Sequence, residues 1–408
     1  MGIARRADSS VRRAVGFWRS ARANPALLLV LVVGVVLRAV LMPLTHGQDF
    51  VVWDKAATAT LNGDNVYAHH PDYPGGPYAY FPLFLYLELP FRWLAGATGI
   101  GFTVLGKLAI MAGDLVATMV LAAEIGRRGR SARQVALGAA LFFLNPLLLY
   151  NGAFYGRFDS VGLALLLAAF WWYRPGRPLS WRTSMLYAAA IAAKTFPMFM
   201  APKLIAFGRV SATRILVTCL AVLGGISLPY LLTSPRAFLT DVFLYDAKKL
   251  PQGLSWQQLV LAHISADSAR RMSYVFLVAF MVGVLVLVRV PDLETYCLLT
   301  LLLFLLSSKV VLEQYLLWPM PWLVLRTYRP ASPGPALVTG STGMLAALTV
   351  IGMLANPYVH PFGRQPGWIA VLLAALLAGY CVAVLREESR RTGSRPQTRT
   401  TPPSQPIS

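Results

Sequence analysis

Two carboxylates follow the first long apolar segment of this chain. The segment, residues 25–44, reads "PALLLVLVVGVVLRAVLMPL", and Asp49 and Asp54 come soon after it. A carboxylate beside a membrane can take the proton from a hydroxyl group and so act as a general base. A solvated loop is the alternative for either residue, and it fits Asp49 less well because Asp49 lies at the membrane surface.

A second pair of charges, Arg157 and Asp159, lies in the short turn "YGRFDS" between two apolar segments. Asp159 stands where the next helix should begin, so capping that helix is its plain structural role. Arg157 could pair with Asp159 or extend its side chain to the membrane interface. These structural roles stay open beside a role in binding.

Lys194 lies in the apolar stretch "YAAAIAAKTFPMF", about eleven residues into a helix expected to start near residue 183. At about 1.5 Å per residue, this position is roughly mid-membrane. A lysine there needs an anion, a water-filled cavity or an internal ion pair, because an uncompensated charge in the bilayer is costly. Pro197 and Pro202 should break the segment 183–207 into two short pieces.

The stretch "LLSSKVVLEQYLLWPMPW" places Lys309, Glu313, Gln314 and Tyr315 between two apolar segments. Tyr315 also fits an aromatic belt, and Lys309 a lysine that extends to the interface. Taken together, the carboxylates could deprotonate a hydroxyl, the cations could hold a phosphate, and the membrane could supply a lipid. This is the chemistry of sugar transfer from a lipid phosphate.

The elements that must position these residues are membrane helices. Hydrophobic residues make up 56% of the 408 residues and charged residues only 13%, whereas soluble globular proteins have about 25% charged residues. The apolar runs recur along most of the chain and do not alternate with period two. Many approach the roughly 20 residues needed to cross a bilayer, so we expect an all-α polytopic membrane protein with about 10–12 transmembrane helices.

The net charge is +20, and the arginines cluster in the N-terminal region, in the C-terminal tail and in short loops between apolar runs, for example "RRGRSAR" at 127–133 and "RPGRPLSWR" at 174–182. This distribution follows the positive-inside rule and argues against nucleic-acid binding. It predicts a multi-pass protein of the cell membrane with both termini in the cytoplasm. The site described above would then lie on the extracytoplasmic side.

Three regions follow from this topology. Residues 1–24 form a basic cytoplasmic N-terminus, and residues 25–385 form the transmembrane catalytic domain. Residues 386–408 are polar and rich in Pro, Ser and Thr, so they should form a disordered cytoplasmic tail.

Two outer loops are expected within the domain, at residues 45–101 and 234–271. The piece 79–96 inside the first loop is apolar but short, and it contains charges such as Glu88. An interfacial or re-entrant helix is therefore expected there rather than a full span.

The chain resembles the GT-C superfamily of membrane glycosyltransferases, and most closely the polyprenol-phosphate-mannose-dependent mannosyltransferases of glycosyltransferase family 87. The resemblance is spread over residues 25–325. The matching pieces are "QDFVVWDKAATATLNGDNVY", "YAYFPLFLYLELPF", "LNPLLLYNGAFYGRFDS", "AAAIAAKTFPMFMAPKLI" and "SSKVVLEQYLLWPMPW".

The resemblance implies a GT-C-like bundle whose first outer loop carries interfacial helices. It implies a polyprenyl-phosphate donor with mannose as the expected sugar, a lipid or lipoglycan acceptor, and inversion at the anomeric carbon. The family's catalytic base opens the first outer loop, which maps onto Asp49, with Asp54 as a rival. The family often has glutamine in a "GQFD" turn where this chain has Arg157, and this departure affects the phosphate or acceptor contact.

The resemblance and the residues together give a set of expected contacts. Lys194, Lys309 and Arg157 would hold the donor phosphate. Further substrate contacts are expected from Asp54, Tyr80, Asp159, Gln314 and Tyr315. No tight acidic cluster is spaced for a divalent metal, and His69 with His70 is too isolated to form one, so neither a metal nor another cofactor is expected.

Two alternatives stay open. An enzyme of the same fold could transfer arabinofuranose or glucose instead of mannose. A transporter or flippase for lipid-linked sugars would explain the apolar segments and the buried lysine. It would not explain the large first outer loop, and the sequence shows no repeated halves of the kind common in transporters.

Overall fold

The computed structural model describes residues 24–68, 77–245, 249–261, 263–329, 335–356 and 367–393. The described α-helices of the first half are α1 Pro25–Leu41, α2 Gln48–Leu61, α3 Leu83–Thr98, α4 Phe102–Arg127, α5 Ala132–Phe143, α6 Pro146–Leu149, α7 Asp159–Trp172, α8 Trp181–Ala193 and α9 Ala201–Ile205. The second half adds α10 Arg209–Cys219, α11 Gly225–Thr233, α12 Pro235–Phe243, α13 Gln257–Leu261, α14 Ala266–Leu287, α15 Leu293–Ser307, α16 Met320–Thr327, α17 Pro335–Leu354 and α18 Gly367–Gly393. Single turns of π-helix or 3₁₀-helix occur at Tyr150–Tyr155, Phe196–Met200, Leu220–Gly224 and Glu313–Leu317. Most of the predicted N-terminal region, the end of the predicted tail, and His69 with His70 lie outside the described residues.

Sheet structure in the described residues is limited to one short pairing. The two-residue strands β1 Gln252–Gly253 and β2 Val310–Val311 run parallel, with Gln252 opposite Val310. Nearly all other regular structure is helical. The structure therefore confirms the prediction of an all-α protein.

Four described helices are long and apolar enough to cross a membrane: Phe102–Arg127, Arg209–Thr233, Ala266–Leu287 and Gly367–Arg391. A fifth span is formed if α5 and the bent helix Pro146–Tyr155, inclined at 47° to it, count as one. Further apolar helices have 10–17 residues, which is short of the roughly 20 residues that a span needs. The chain is a polytopic membrane protein, and the number of about 10–12 transmembrane helices stays a prediction.

The first predicted outer loop, residues 45–101, contains α2 and α3. α3 has 16 residues, includes Pro90, and packs against α2 and α4. Its length fits the expectation of a helix that does not span the membrane. α2 and α3 lie at one end of the bundle. Lys194 and the other predicted site residues lie at the same end.

The central helix of the bundle is α7, which packs against both α4 and α8. α7 is apolar on all sides and most of its residues are buried, as expected for a helix in the middle of a bundle. α14 is different, because Leu277, Val278, Val282 and Leu285 remain exposed along it. These exposed apolar side chains are typical of a surface that faces lipid.

The arginine-rich loops lie at the opposite end of the bundle from Asp49. There, Arg128 at the end of α4 pairs with Glu294 at the start of α15. Arg326 near the end of α16 pairs with Glu387 of α18. These pairs join elements that are far apart in the sequence.

Ion pairs at this end of the bundle also explain one difference from the predicted domain boundaries. α18 continues to Gly393, although a disordered tail was expected from residue 386. Glu388 pairs with Arg329 at 2.8 Å, and Arg391 pairs with Glu387 at 2.6 Å. The start of the helical tail is therefore fixed against α16 by charges that composition alone does not reveal.

Candidate active site

Asp49 lies in the first turn of α2. Its side chain is 38% exposed, so a substrate can reach the carboxylate. The backbone N–H of Gly47 donates to the carbonyl oxygen of Tyr155 at 2.7 Å, and a Cβ at position 47 would overlap the Tyr155 ring. Only glycine permits this close approach, which holds the start of α2 against the loop that leads into α7.

Arg157 faces Asp49 from that loop. The chain reaches it through the π-helical turn Tyr150–Tyr155 and through Gly156, whose φ of +89° favours glycine. Arg157 Nε lies 3.4 Å from a carboxylate oxygen of Asp49, and Arg157 Nη1 forms an ion pair with Glu313. Burial disfavours the guanidinium charge, but Glu313 and Asp49 raise the pKa of Arg157 above its ordinary value. Arg157 is therefore a permanent cation shared between two carboxylates.

The π-helical turn also holds Arg157 directly. Asn151 accepts a hydrogen bond from Arg157 Nη1 through its side chain at 3.2 Å. The carbonyl oxygen of Asn151 accepts another from the Arg157 backbone N–H at 2.7 Å. The guanidinium carbon lies 4.4 Å from the centroid of the Tyr155 ring, a cation–π distance. Such π-helical turns occur frequently at functional sites.

Lys194 does not lie inside a helix, contrary to the prediction. α8 ends at Ala193, and Lys194 follows it in extended backbone, because Pro197 lacks the N–H that a continued helix would need. Lys194 Nζ lies 3.3 Å from Asp159 Oδ2, and both side chains are almost fully buried. The internal ion pair that the sequence left open is therefore present, at the level where α7 begins.

Asp159 does not cap its helix, so the capping interpretation was wrong. α7 begins at Asp159 itself, and the residue at the cap position, Phe158, makes no side-chain capping bond. The second carboxylate oxygen of Asp159 instead accepts a 2.7 Å hydrogen bond from the indole of Trp318. The carboxylate of Asp159 is therefore bound by Lys194 and Trp318, which are distant in the sequence, and not by the N–H groups of its own helix.

Aromatic rings enclose the Lys194 ammonium. Lys194 Nζ lies 4.5 Å from the ring centroids of both Tyr80 and Phe158. The Tyr80 ring stacks on Trp53 with centroids 5.5 Å apart, and Trp53 is about one helical turn from Asp49. Tyr80 thus lies between the ammonium of Lys194 and the helix that carries Asp49.

An apolar cavity of about 250 Å³ has Lys309 and Tyr315 in its wall. The rest of that wall is largely aromatic and includes Phe199, Phe243, Tyr274, Phe280 and Phe304. The Tyr315 ring lies 4.4 Å from the Trp318 ring, and the Trp318 indole holds Asp159. The cavity is therefore connected to the charged cluster through two neighbouring aromatic rings.

Gln314 lies between the ion-paired Glu313 and the cavity residue Tyr315. Its side chain is only 3% exposed. Its Oε1 has no hydrogen-bond partner among the described residues. A buried acceptor of this kind is costly unless a ligand or water supplies a donor.

Asp54 lies on a different side of α2 from Asp49. Five residues at 3.6 residues per turn separate the two carboxylates by about 140° around the helix. Asp54 pairs with Arg92 of α3 at 2.8 Å. The structure therefore brings Asp49, and not Asp54, next to Arg157.

Three residues of this region had no assigned role in the sequence analysis. Glu313 holds Arg157, Trp318 holds Asp159, and Lys107 binds the loops on either side of the site. A lysine within an apolar stretch such as "FTVLGKLAIMAG" is itself a signal in the sequence, because buried charges in membrane helices are costly. The sequence contains no such signal that Glu313 binds Arg157 or that Trp318 binds Asp159. These pairings depend on how elements that are distant in the sequence pack.

Metal binding was not expected, and the geometry gives it no support in the part of the chain that is described. Among those residues, no three His, Cys, Asp or Glu side chains cluster as a metal ion would require. The metal-independence of the protein stays a prediction, because His69 and His70 lie outside the described residues.

The family model described as Glycosyltransferase family 87 matches residues 78–312, more than half of the chain. The chain belongs to glycosyltransferase family 87. Membership confirms the resemblance read from the sequence motifs and makes the protein a membrane glycosyltransferase. No curated protein matches the chain.

The family 87 match covers only part of the charged cluster. Arg157, Asp159 and Lys194 lie within it. Asp49 precedes the matched residues, and Tyr315 follows them. The match therefore includes neither Asp49 nor Glu313, the two carboxylates that the structure places beside Arg157.

Proposed function

We propose that this family 87 protein transfers mannose from a polyprenyl-phosphate donor to a hydroxyl group of a lipid or lipoglycan acceptor. The reaction takes place on the extracytoplasmic side of the membrane and inverts the anomeric configuration. The observation that carries the proposal is the partly exposed carboxylate of Asp49, 3.4 Å from the buried Arg157, on the same face as the Lys194 cluster. Family membership supports the reaction class.

Asp49 acts as the general base. It takes the proton from the acceptor hydroxyl, whose oxygen forms a bond to the anomeric carbon from the face opposite the phosphate. The bond between that carbon and the phosphate oxygen breaks, and polyprenyl phosphate leaves with the electron pair. A β-linked donor therefore yields an α-linked product. Arg157, held by Glu313, fixes the carboxylate in place.

The donor lipid enters through the aromatic cavity beside Lys309. Its apolar wall and the apolar surface of α14 suit the first isoprene units of a polyprenyl chain, because burying apolar area is favourable. Lys309 lies at this wall, and Lys194 lies beyond Trp318 in the charged cluster. Cations set in place before the reaction stabilise the charge that builds on the leaving phosphate. Arg157 can also contact the donor phosphate. It keeps its ion pairs with Asp49 and Glu313 while it does so.

Gln314 and the aromatic residue Tyr80 complete the proposed substrate contacts. The unsatisfied Oε1 of Gln314 can accept a hydrogen bond from a sugar hydroxyl. Tyr80 presents a ring beside Lys194, and sugar rings pack favourably on aromatic faces. Asp159 acts through Lys194, whose ammonium it holds in position.

The test is sugar transfer by the purified protein in lipid nanodiscs. Radiolabelled polyprenyl-phosphate mannose, glucose and arabinofuranose are offered separately with membrane lipids as acceptors. We expect a mannosylated lipid whose linkage is α by nuclear magnetic resonance. Transfer of only glucose or arabinofuranose would correct the sugar, and movement of intact donor across the bilayer without a glycosidic product would favour the flippase.

A further inference from the structure

Lys107 is a fully buried lysine near the start of α4. Its Nζ donates hydrogen bonds to three main-chain carbonyl oxygens. These belong to Met42 at 2.9 Å, to Phe154 at 2.8 Å and to Thr45. A lysine ammonium has three N–H donors, so this side chain uses all of them on the backbone.

The three carbonyl groups lie on the two loops that lead to Asp49 and to Arg157. Met42 and Thr45 lie between α1 and Asp49, and Phe154 lies three residues before Arg157. One direct hydrogen bond, from the Gly47 N–H to the Tyr155 carbonyl oxygen, joins these loops. The Lys107 ammonium adds a charged junction between them.

The charge of Lys107 makes this junction stronger than neutral hydrogen bonds would. Hydrogen bonds from a charged donor contribute roughly twice as much as neutral ones. Three carbonyl dipoles that converge on one ammonium also repel one another once the cation is removed. Without Lys107, the loop before Asp49 and the loop before Arg157 would therefore move apart.

We propose that Lys107 is a positioning residue of the transfer reaction, because it sets the separation between Asp49 and Arg157. It does not touch the substrate and acts through the two loops. The proposal rests on the proposed function, in which Asp49 is the base. A displacement of about 1 Å in such a group can lower the rate by about a hundredfold.

The chain offers a matched control in Lys203. This lysine is also buried, and its Nζ donates to the carbonyl oxygens of Val288 and Val290 at the opposite end of the bundle. Lys107→Met and Lys203→Met therefore each remove an ammonium that binds main-chain carbonyls. They differ in their distance from Asp49.

The experiment compares the kcat, the donor KM and the thermal midpoint of the two variants. Both should lower the midpoint. Only Lys107→Met should lower kcat, by at least about tenfold, with the donor KM changed by less than about twofold, since orientation and not binding is lost. Equal loss of kcat in both variants would reduce Lys107 to a structural role and overturn the proposal.

A second variant covers the case in which Lys107→Met fails to fold. Lys107→Arg keeps the buried cation, but a planar guanidinium cannot donate to the three carbonyl groups in the same geometry. We expect folded protein with a reduced kcat. A kcat equal to that of the wild type would contradict the proposal.

Amide hydrogen exchange separates this inference from the proposed function. Whichever Lys107 variant folds should exchange faster than the wild type at residues 45–49 and 154–157, and Lys203→Met should not. A wild-type protein that transfers no sugar from polyprenyl phosphate would contradict the proposed function, and the exchange comparison would still decide the role of Lys107. Unchanged exchange at both loops would overturn the inference even in an active enzyme.

Discussion

Asp49 and Asp54 are carboxylates on the same helix with different surroundings. Asp49 is held by Arg157 at 3.4 Å, whereas Asp54 pairs with the partly exposed Arg92. Asp49→Asn should lower transfer at least about a hundredfold, since it keeps the shape of the side chain and removes proton acceptance. Asp54→Asn is the matched control and should retain most of the activity. An active Asp49→Asn beside an inactive Asp54→Asn would make Asp54 the base.

The pair formed by Lys194 and Asp159 separates a structural role from a binding role. Lys194→Met leaves the carboxylate of Asp159 buried, and the Trp318 indole is then its only side-chain donor among the described residues. Breaking a buried ion pair in this way should cost about 3–5 kcal/mol of stability. Thermal unfolding of the purified variant measures this loss.

The double variant Lys194→Met with Asp159→Asn removes both charges and should regain much of that stability. If Lys194 also stabilises the leaving phosphate, the double variant should still transfer sugar slowly. Normal turnover by the stable double variant would limit Lys194 to the ion pair.

At the scale of single elements, α3 contains a buried carboxyl group, that of Glu88. Glu88 is fully buried, and neither of its oxygens has a hydrogen-bond partner among the described residues. Burial, with a smaller effect from the Asp54 carboxylate, raises the pKa of Glu88 well above its ordinary value. The carboxyl group is therefore neutral in the folded protein at pH values where it ionises in the unfolded chain.

The sign of the pH dependence follows from this shift. Above the ordinary pKa of glutamate, the unfolded chain binds fewer protons than the folded one, so stability falls as the pH rises toward the raised pKa. Glu88→Gln should remove this loss. Its thermal midpoint should match that of the wild type at about pH 4 and exceed it at about pH 8. An equal difference at both pH values would contradict the burial of a neutral Glu88.

Breaks between elements also decide where charges meet. α8 ends at Ala193 and α7 begins at Asp159, so Lys194 and Asp159 meet at two helix ends. The π-helical turn Tyr150–Tyr155 similarly sets Arg157 against Asp49. The residues with proposed functions lie at or near interruptions of the apolar helices, where the backbone can direct a charged side chain into the site.

At the scale of the whole molecule, the arginine-rich loops and the site occupy opposite ends of the bundle. Cysteines introduced as Arg133→Cys and Asp64→Cys lie at exposed positions near these two ends. The positive-inside rule predicts that a membrane-impermeant reagent labels the first from the cytoplasm and the second from outside. Cys219, Cys297 and Cys381 lie in apolar helices, so the unmodified chain measures the background. Labelling of both introduced cysteines from one side would refute the topology and the extracytoplasmic site.

The sequence by itself determined the class of this protein. Low charge and recurrent apolar runs lead to a helical membrane protein, since backbone groups in lipid must be satisfied within helices. The first apolar segment, predicted at residues 25–44, contains the whole of α1, which begins at Pro25. The motif residues Arg157, Asp159 and Lys194 were identified because charges are rare in such a chain. The apolar segments and the charged residues between them are local features of the sequence, so local composition is sufficient to predict them.

Tertiary structure alone decided the partners of those residues. Asp49 meets Arg157 across 108 residues, and Arg157 meets Glu313 across 156. Lys194 lies at a helix end beside Asp159 rather than inside a helix, and Lys107 joins two loops through their carbonyl groups. An ionisable residue in an apolar chain predicts either a partner of opposite charge or, as for Glu88, a neutral buried group, because burying an unpaired charge is costly. Which partner it finds depends on how the helices pack, and helix packing depends on the shapes of many side chains at once.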